Sequence, residues 1–252
     1  MSQSTARPGL GLLSVLLAAV GIAPLLNYGL SATSDLIIRD LGISETQFGL
    51  LATVCFGCAA IGNVAFGKFA DRQADIRLLL LVFGMAALAM GLAALPAGYA
   101  FLLLASGISG FAQSFPNGVT NRILAQRVPH DQRIAWTGVK QSGVQVSQLS
   151  GSVGFPMLAA VIGWHGASLA GAVVAALLGI LAVRVVAAVP LLPVPAPAKP
   201  RAGAGRPAGS DAASTRFIIF ALTLFGFING IGVQATNVLC RKPQRSFSHI
   251  IF

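Results

Sequence analysis

Two apolar runs, Phe48–Phe66 and Leu78–Leu95, are separated by only eleven residues, Gly67–Arg77, which hold five charged side chains. About 20 apolar residues is the length that crosses the hydrocarbon core of a bilayer as an α-helix. Inside that core every backbone amide must find its partner within the segment, so a run of this kind has little choice but to be helical. The rest of the chain repeats the pattern. Hydrophobic residues make up 55% of it, charged residues 10%, and its mean hydropathy is +0.79, values that exclude a soluble globular domain. The 252 residues have room for about seven such helices with short turns.

The expected spans are 10–34, 46–66, 77–95, 99–121, 136–162 and 165–189, with a seventh at 216–237. Turn residues punctuate them at Asp40 to Glu45, Pro96-Ala97-Gly98, Pro129-His130-Asp131 and Gly163-Trp164-His165. Residues 1–189 therefore form a six-helix domain. Residues 190–215 are rich in Pro, Ala and Gly and carry Lys199, Arg201 and Arg206; they bury no core and are expected to be a flexible basic linker.

The sequence pI is near 10.8, a value often met in nucleic-acid-binding chains. Here the basic residues sit between apolar runs and are not interleaved with aromatics, so the expected partner is the lipid bilayer and not nucleic acid. With the N-terminus in the cytoplasm, thirteen Lys and Arg, from Arg7 to Arg216, fall on the inner side, and only Arg39 falls in an outer loop of the first six spans. That is the positive-inside pattern. Arg7 ahead of Leu10–Val20 has the look of a signal peptide, but further spans follow at once, so an uncleaved first helix is expected.

The turn Gly67-Lys68-Phe69-Ala70-Asp71-Arg72 resembles the cytoplasmic turn between the second and third helices of major facilitator superfamily transporters, roughly G-x-L-A-D-R-x-G-R-R/K. Phe69 stands in place of Leu, Ala74 where the second Gly is usual, and Asp75 where Arg is usual. Asn121-Arg122, Lys140-Gln141-Ser142-Gly143 and Gly163-Trp164 add to the resemblance by their order and spacing. It implies an all-α membrane protein of the plasma membrane (the inner membrane of a bacterium): a six-helix N-terminal domain of two inverted three-helix repeats, plus a seventh helix. It further implies transport of a small solute by alternating access, with substrate bound near the midplane between two halves. No enzymatic role, cofactor or metal is implied. Gly67, Asp71, Arg72 and Arg77 are then the conformational gate, with Asp71 expected to engage a helix end in the other half, where a carboxylate gains from the partial positive charge. The alternative is a charged turn that only fixes topology.

Polar residues inside spans are costly and so carry information. Gln113, Asn117 and Asn121 recur every four residues on the fourth span, beside Pro116, which can kink it. Gln141, Gln145 and Gln148 form a second stripe on the fifth, and Asn27 lies in the first. The resemblance places helices 1, 4 and 5 around the central cavity, so these amides are candidate substrate contacts; interhelical hydrogen bonding is the alternative. Lys140 either attracts an anionic substrate or, the favoured reading, snorkels to the headgroups on its long stem. Ser106 occupies the position of an Arg that many proton-coupled members carry, and no Asp or Glu lies in the middle of a span. Cys55 and Cys58 in an apolar helix are expected to be buried thiols, and Gly151-x-x-Gly154 a close helix approach.

The chain's end departs from this order. Residues 238–252 are polar, with Arg241, Lys242 and Arg245 on what would be the outer face. A frame shift or truncation near Asn237 is expected, omitting a C-terminal half, so that the chain alone does not transport. A half-transporter working with a second copy is the rival reading. A membrane enzyme or sensor is a third, disfavoured because His130, His165 and His249 are placed in loops or the tail.

Overall fold

Apolar segments that must bond their own amides produce helices here and, among the described residues, no strand. The computed structural model describes residues 9–65 and 72–191, within the unit Met1–Val194. Along them run α1 (Leu10–Ala32), α2 (Ser34–Leu41), α3 (Glu45–Ala65), α4 (Asp75–Ala93), α5 (Tyr99–Ala112), α6 (Pro116–Arg127), α7 (Arg133–Leu149), a π-helical turn (Ser150–Gly154) and α8 (Phe155–Ala188). Gly67, Asp71, the seventh span, the tail and all but the first two residues of the linker lie outside the described residues.

Helices α1, α3 and α4 match the first three expected spans, and each is long and apolar enough to cross a membrane. Three details differ from the expectation. The first span ends at Ala32, where Thr33 Oγ1 donates to Gly29 O at 2.9 Å, and Asp35 and Asp40 belong to the short amphipathic α2. The fourth span is two helices. Pro116 has no amide hydrogen to continue the ladder, so α5 stops at Ala112 and the chain restarts with Pro116 as the first residue of α6, where the missing donor costs nothing. The fifth and sixth spans form one helical stretch, Arg133–Ala188, which reverses at Gly163 (φ 75°, ψ 163°). Trp164 and His165 are accordingly helical, not loop residues.

The helices pair in a repeating way. Helix α1 packs along α7, α3 along α5, and α4 along α8. Contacts of Gly21 with Gly143 and of Gly151 with Tyr28 show that α1 and α7 run parallel. Contacts of Gly107 with Val54 and of Gly62 with Ser114 show the same for α3 and α5. Gly171 meets Met90 and Gly179 meets Phe83, so α4 and α8 run antiparallel. Two inverted three-helix repeats related by a two-fold produce this set: the first pair maps onto the second, and the third onto itself. Glycine permits the closest approaches. A Cβ on Gly143 would strike Leu17 O, and one on Gly110 would strike Cys55 O. Lipid offers no hydrophobic drive to helix association, so such backbone proximity supplies the packing energy. Gly151 takes part against Tyr28, whereas Gly154 has open space around it, so only the first glycine of that expected pair serves a close approach.

The bundle's two ends are tied differently. At the basic end, Asp75 on the first residue of α4 lies 2.5 Å from Arg122 Nε, and Arg122 Nη2 also donates to Gln73 O at 2.7 Å. Arg127 Nη1 donates to the carbonyls of Val186, at 2.7 Å, and Val189, joining α6 to the end of α8. At the opposite end Trp164 Nε1 donates to Asp40 Oδ2 at 2.8 Å, and Tyr99 OH donates to Gln47 O at 2.8 Å. Ser44 and Gln47 bond each other's backbone amides in a capping box that starts α3.

Candidate functional site

Helix α7 has three differently composed sides. Lys140, Gly143, Ser147 and Gly151 are buried and share the face turned to α1. Gln141, Gln145 and Gln148 are exposed on a flank about 100° around the helix from Lys140. Val139 and Val146 are exposed on the other flank, at 44% and 50%. Between residues 139 and 148 the amides thus keep to one flank and the exposed valines to the other, while Ile134, exposed near the start of the helix, shares the amide flank.

Lys140 does not snorkel: it is 1% exposed. Its Nζ donates to Asn121 Oδ1 at 2.6 Å and to Thr120 Oγ1 at 3.1 Å, both on α6. Thr120 Oγ1 in turn donates to Pro116 O at 2.5 Å, which leaves its lone pairs facing the ammonium. Burial of the stem follows from its place on the small-residue face, where Gly143 lets α1 close over the helix. A lysine costs on the order of 3 kcal/mol at the centre of a membrane helix on insertion scales, and Lys140, two turns from the start of α7, bears a smaller cost. Two neutral oxygens offset part of that, and an ammonium has three donors.

The amides of the fourth span separate. Gln113 ends α5 and turns toward α3, donating from Nε2 to Cys55 Sγ at 3.2 Å. Asn117 is exposed on the first turn of α6, and Asn121 meets Lys140. The break before Pro116 therefore interrupts the single stripe that four-residue spacing predicts, because Gln113 and Asn121 now serve different neighbours. Asn27 is half-buried on α1, next to Tyr28, whose Cβ lies against Gly151. Of the expected substrate contacts, Asn121 and Lys140 are brought together; Asn117 and the three glutamines are exposed on the two helices that meet there. Ser106 is buried and donates to Leu102 O, and Ser109 ties α5 to α1 through Ala23 O at 3.0 Å. Cys55 is buried and Cys58 half-buried, both as free thiols.

Within the expected gate, Arg72 and Arg77 are exposed. Among the described residues Asp75, 10% exposed, pairs with arginine, with Arg122 Nε at 2.5 Å and Arg127 Nη2 at 4.0 Å. Asp75 stands where the family turn usually has Arg. Its position at the first turn of a helix, with two arginines on α6, is the signal of its actual role.

A family model described as Major Facilitator Superfamily matches residues 12–248, reaching past the compositional break at Asn237. A Haemophilus influenzae protein named for metabolite transport is 30% identical over 147 residues, 58% of this chain and 35% of that protein. An Oryza sativa subsp. japonica protein named anion transporter 7 is 27% identical over 131 residues, 52% of this chain and 30% of that one. The chain thus spans about a third of the length of these curated relatives. Among solved structures, a bacterial homologue of the human lysosomal transporter Spinster, inward-facing and unoccupied, shares the fold. Its TM-score is 0.59 at 19% identity, over 77% of this chain and 47% of that one. The matched relatives are named as transporters. Helices of this length and hydropathy make the protein a multi-pass membrane protein. The family match across most of the sequence, on a bundle whose helix pairs repeat about a two-fold, places the chain in the Major Facilitator Superfamily.

Proposed function

We propose that this chain supplies one wall of a solute path in a secondary transporter of the plasma membrane, with its N-terminus in the cytoplasm. The observation that carries the reading is the segregation on α7: Gln141, Gln145 and Gln148 on one exposed flank, Val139 and Val146 on the other. Exposed amides facing lipid are costly, whereas amides facing a water-filled path are solvated. Asn117, Asn121 and Asn27 belong to the same wall, and Gln113 supports it by joining α5 to α3. Orientation rests on the excess of Lys and Arg at the basic end.

Alternating access needs a second half rocking against this bundle. The solved neighbour is about twice as long as the stretch it shares with this chain, in keeping with a second half of similar size. That half comes from further chain or from a second copy, and the six-span bundle alone does not transport. In this family frame Gly67, Asp71, Arg72 and Arg77 act at the interface between halves during the switch.

Cysteine accessibility tests the path. In a chain with Cys55, Cys58 and Cys240 replaced by serine, Gln145→Cys is expected to react with a membrane-impermeant methanethiosulfonate, and Val146→Cys to be protected by lipid. Equal labelling of the two would sink the assignment of the wall. Molecular mass in micelles and uptake into liposomes separate a lone bundle from a pair of copies; uptake by a monomer would overturn the need for a second half.

A further inference from the structure

Among the described residues Lys140 is the largest fully buried polar side chain, and its partners there are neutral: Asn121 Oδ1 at 2.6 Å and Thr120 Oγ1 at 3.1 Å. The seven acidic residues of the chain are Asp35, Asp40, Glu45, Asp71, Asp75, Asp131 and Asp211, and none lies in the interior of a span. The acid–base cluster at the basic end commits Asp75 to Arg122 and Arg127. An ionisable side chain buried in a membrane bundle is costly and marks a functional site. We propose that Lys140, with Thr120 and Asn121, is the recognition site for a solute bearing a single negative charge on a carboxylate.

The assignment rests on the solute-path reading above and narrows it to a substrate class. Asn121 is exposed while Lys140 is not, so the amide is the cover through which the ammonium is reached. An arriving carboxylate takes the place of Asn121 Oδ1 on Nζ, and the freed amide offers its own N–H to the same anion. Gln141 and Gln145, exposed beside the site, match the hydroxyl or carbonyl groups of a polar organic acid. One ammonium with neutral donors balances one charge; a phosphate dianion is better met by paired guanidinium forks, which the structure keeps at the basic end.

The test is thermal unfolding of the full chain in micelles, with sodium acetate, lactate and gluconate as probes. Sodium chloride at equal ionic strength, inorganic phosphate and glucose are the comparators. At least one carboxylate is expected to raise the midpoint by roughly 5 °C when near saturation, with chloride and glucose inactive. Lys140→Met is expected to lose that shift, and its midpoint without probe to equal or exceed that of the parent, as for a charge kept for binding and not for stability. If Lys140→Met does not fold, Asn121→Ala serves in its place and is expected to reduce the shift at least threefold. No carboxylate response above chloride, a response that persists in the variant, or a phosphate response equal to or above the carboxylates would each overturn the proposal. A glucose response lost in Gln145→Ala, with carboxylates inactive, would overturn the anion site and leave the solute path standing. Loss of the path itself is read separately, from cysteine accessibility at residue 145.

Discussion

Asp75 Oδ1 lies 2.5 Å from Arg122 Nε, across 47 residues of sequence, and this ion pair fastens the start of α4 to α6 at the basic end of the bundle. The carboxylate is 10% exposed and the guanidinium 26%, so the pair is shielded from solvent on most sides. Arg127 approaches the other carboxylate oxygen at 4.0 Å while bonding the last carbonyls of α8. One acid thus organises three helix ends.

Asp75→Asn is therefore expected to destabilise the bundle by about 1–3 kcal/mol, because it leaves two partly buried guanidinium groups short of a charged acceptor. Thermal unfolding in micelles measures it. In a double-mutant cycle, Arg122→Gln should add little to Asp75→Asn; fully additive losses would show that the two residues do not act as a pair.

Helix approach at α1–α7 gives a second expectation. A Cβ at Gly143 would strike the Leu17 carbonyl, whereas Gly138, on the same helix, has nothing within 4 Å. Gly143→Val should cost about 1–3 kcal/mol or prevent folding, and Gly138→Val should be near neutral. Comparable losses at the two positions would place the close contact elsewhere.

Much of this architecture is legible in the sequence, and the parts that are not share a cause. Span positions follow from runs of apolar residues whose length the bilayer sets, so α1, α3 and α4 are read off to within a few residues. The Asp75–Arg122 pair is not, because it joins residues brought together only by the stacking of α4 and α6. Lys140 is instructive. Its stem length permits snorkelling, yet its register with Gly143, Ser147 and Gly151 marks it as lying on the packed face, and that register is visible in the sequence. The Gln113–Asn117–Asn121 spacing misleads for the opposite reason: it assumes an unbroken helix, and Pro116 breaks it.

At the opposite end, Trp164→Phe removes the indole N–H that reaches Asp40 Oδ2 at 2.8 Å, while keeping an aromatic ring in the buried site. The loss should be about 0.5–1.5 kcal/mol. Asp40→Ala should lose a similar amount with no further effect in the double variant. Independent losses would separate α2 from the Gly163 reversal.

Gly163, at φ 75° and ψ 163°, sits in a region open essentially to glycine, so Gly163→Ala should cost about 1–3 kcal/mol. Gly154→Ala is the control, since that glycine is helical with open space around it. Equal unfolding midpoints for the two variants would contradict the strained reversal.

The same reversal has a consequence for how the two spans sit in the bilayer. Arg133–Ala188 is 56 residues of helix, and the only departure from helical backbone at its turning point is Gly163. No polar loop joins the two spans. A one-residue turn gives the two spans no slack, so the depth of one in the bilayer sets the depth of the other.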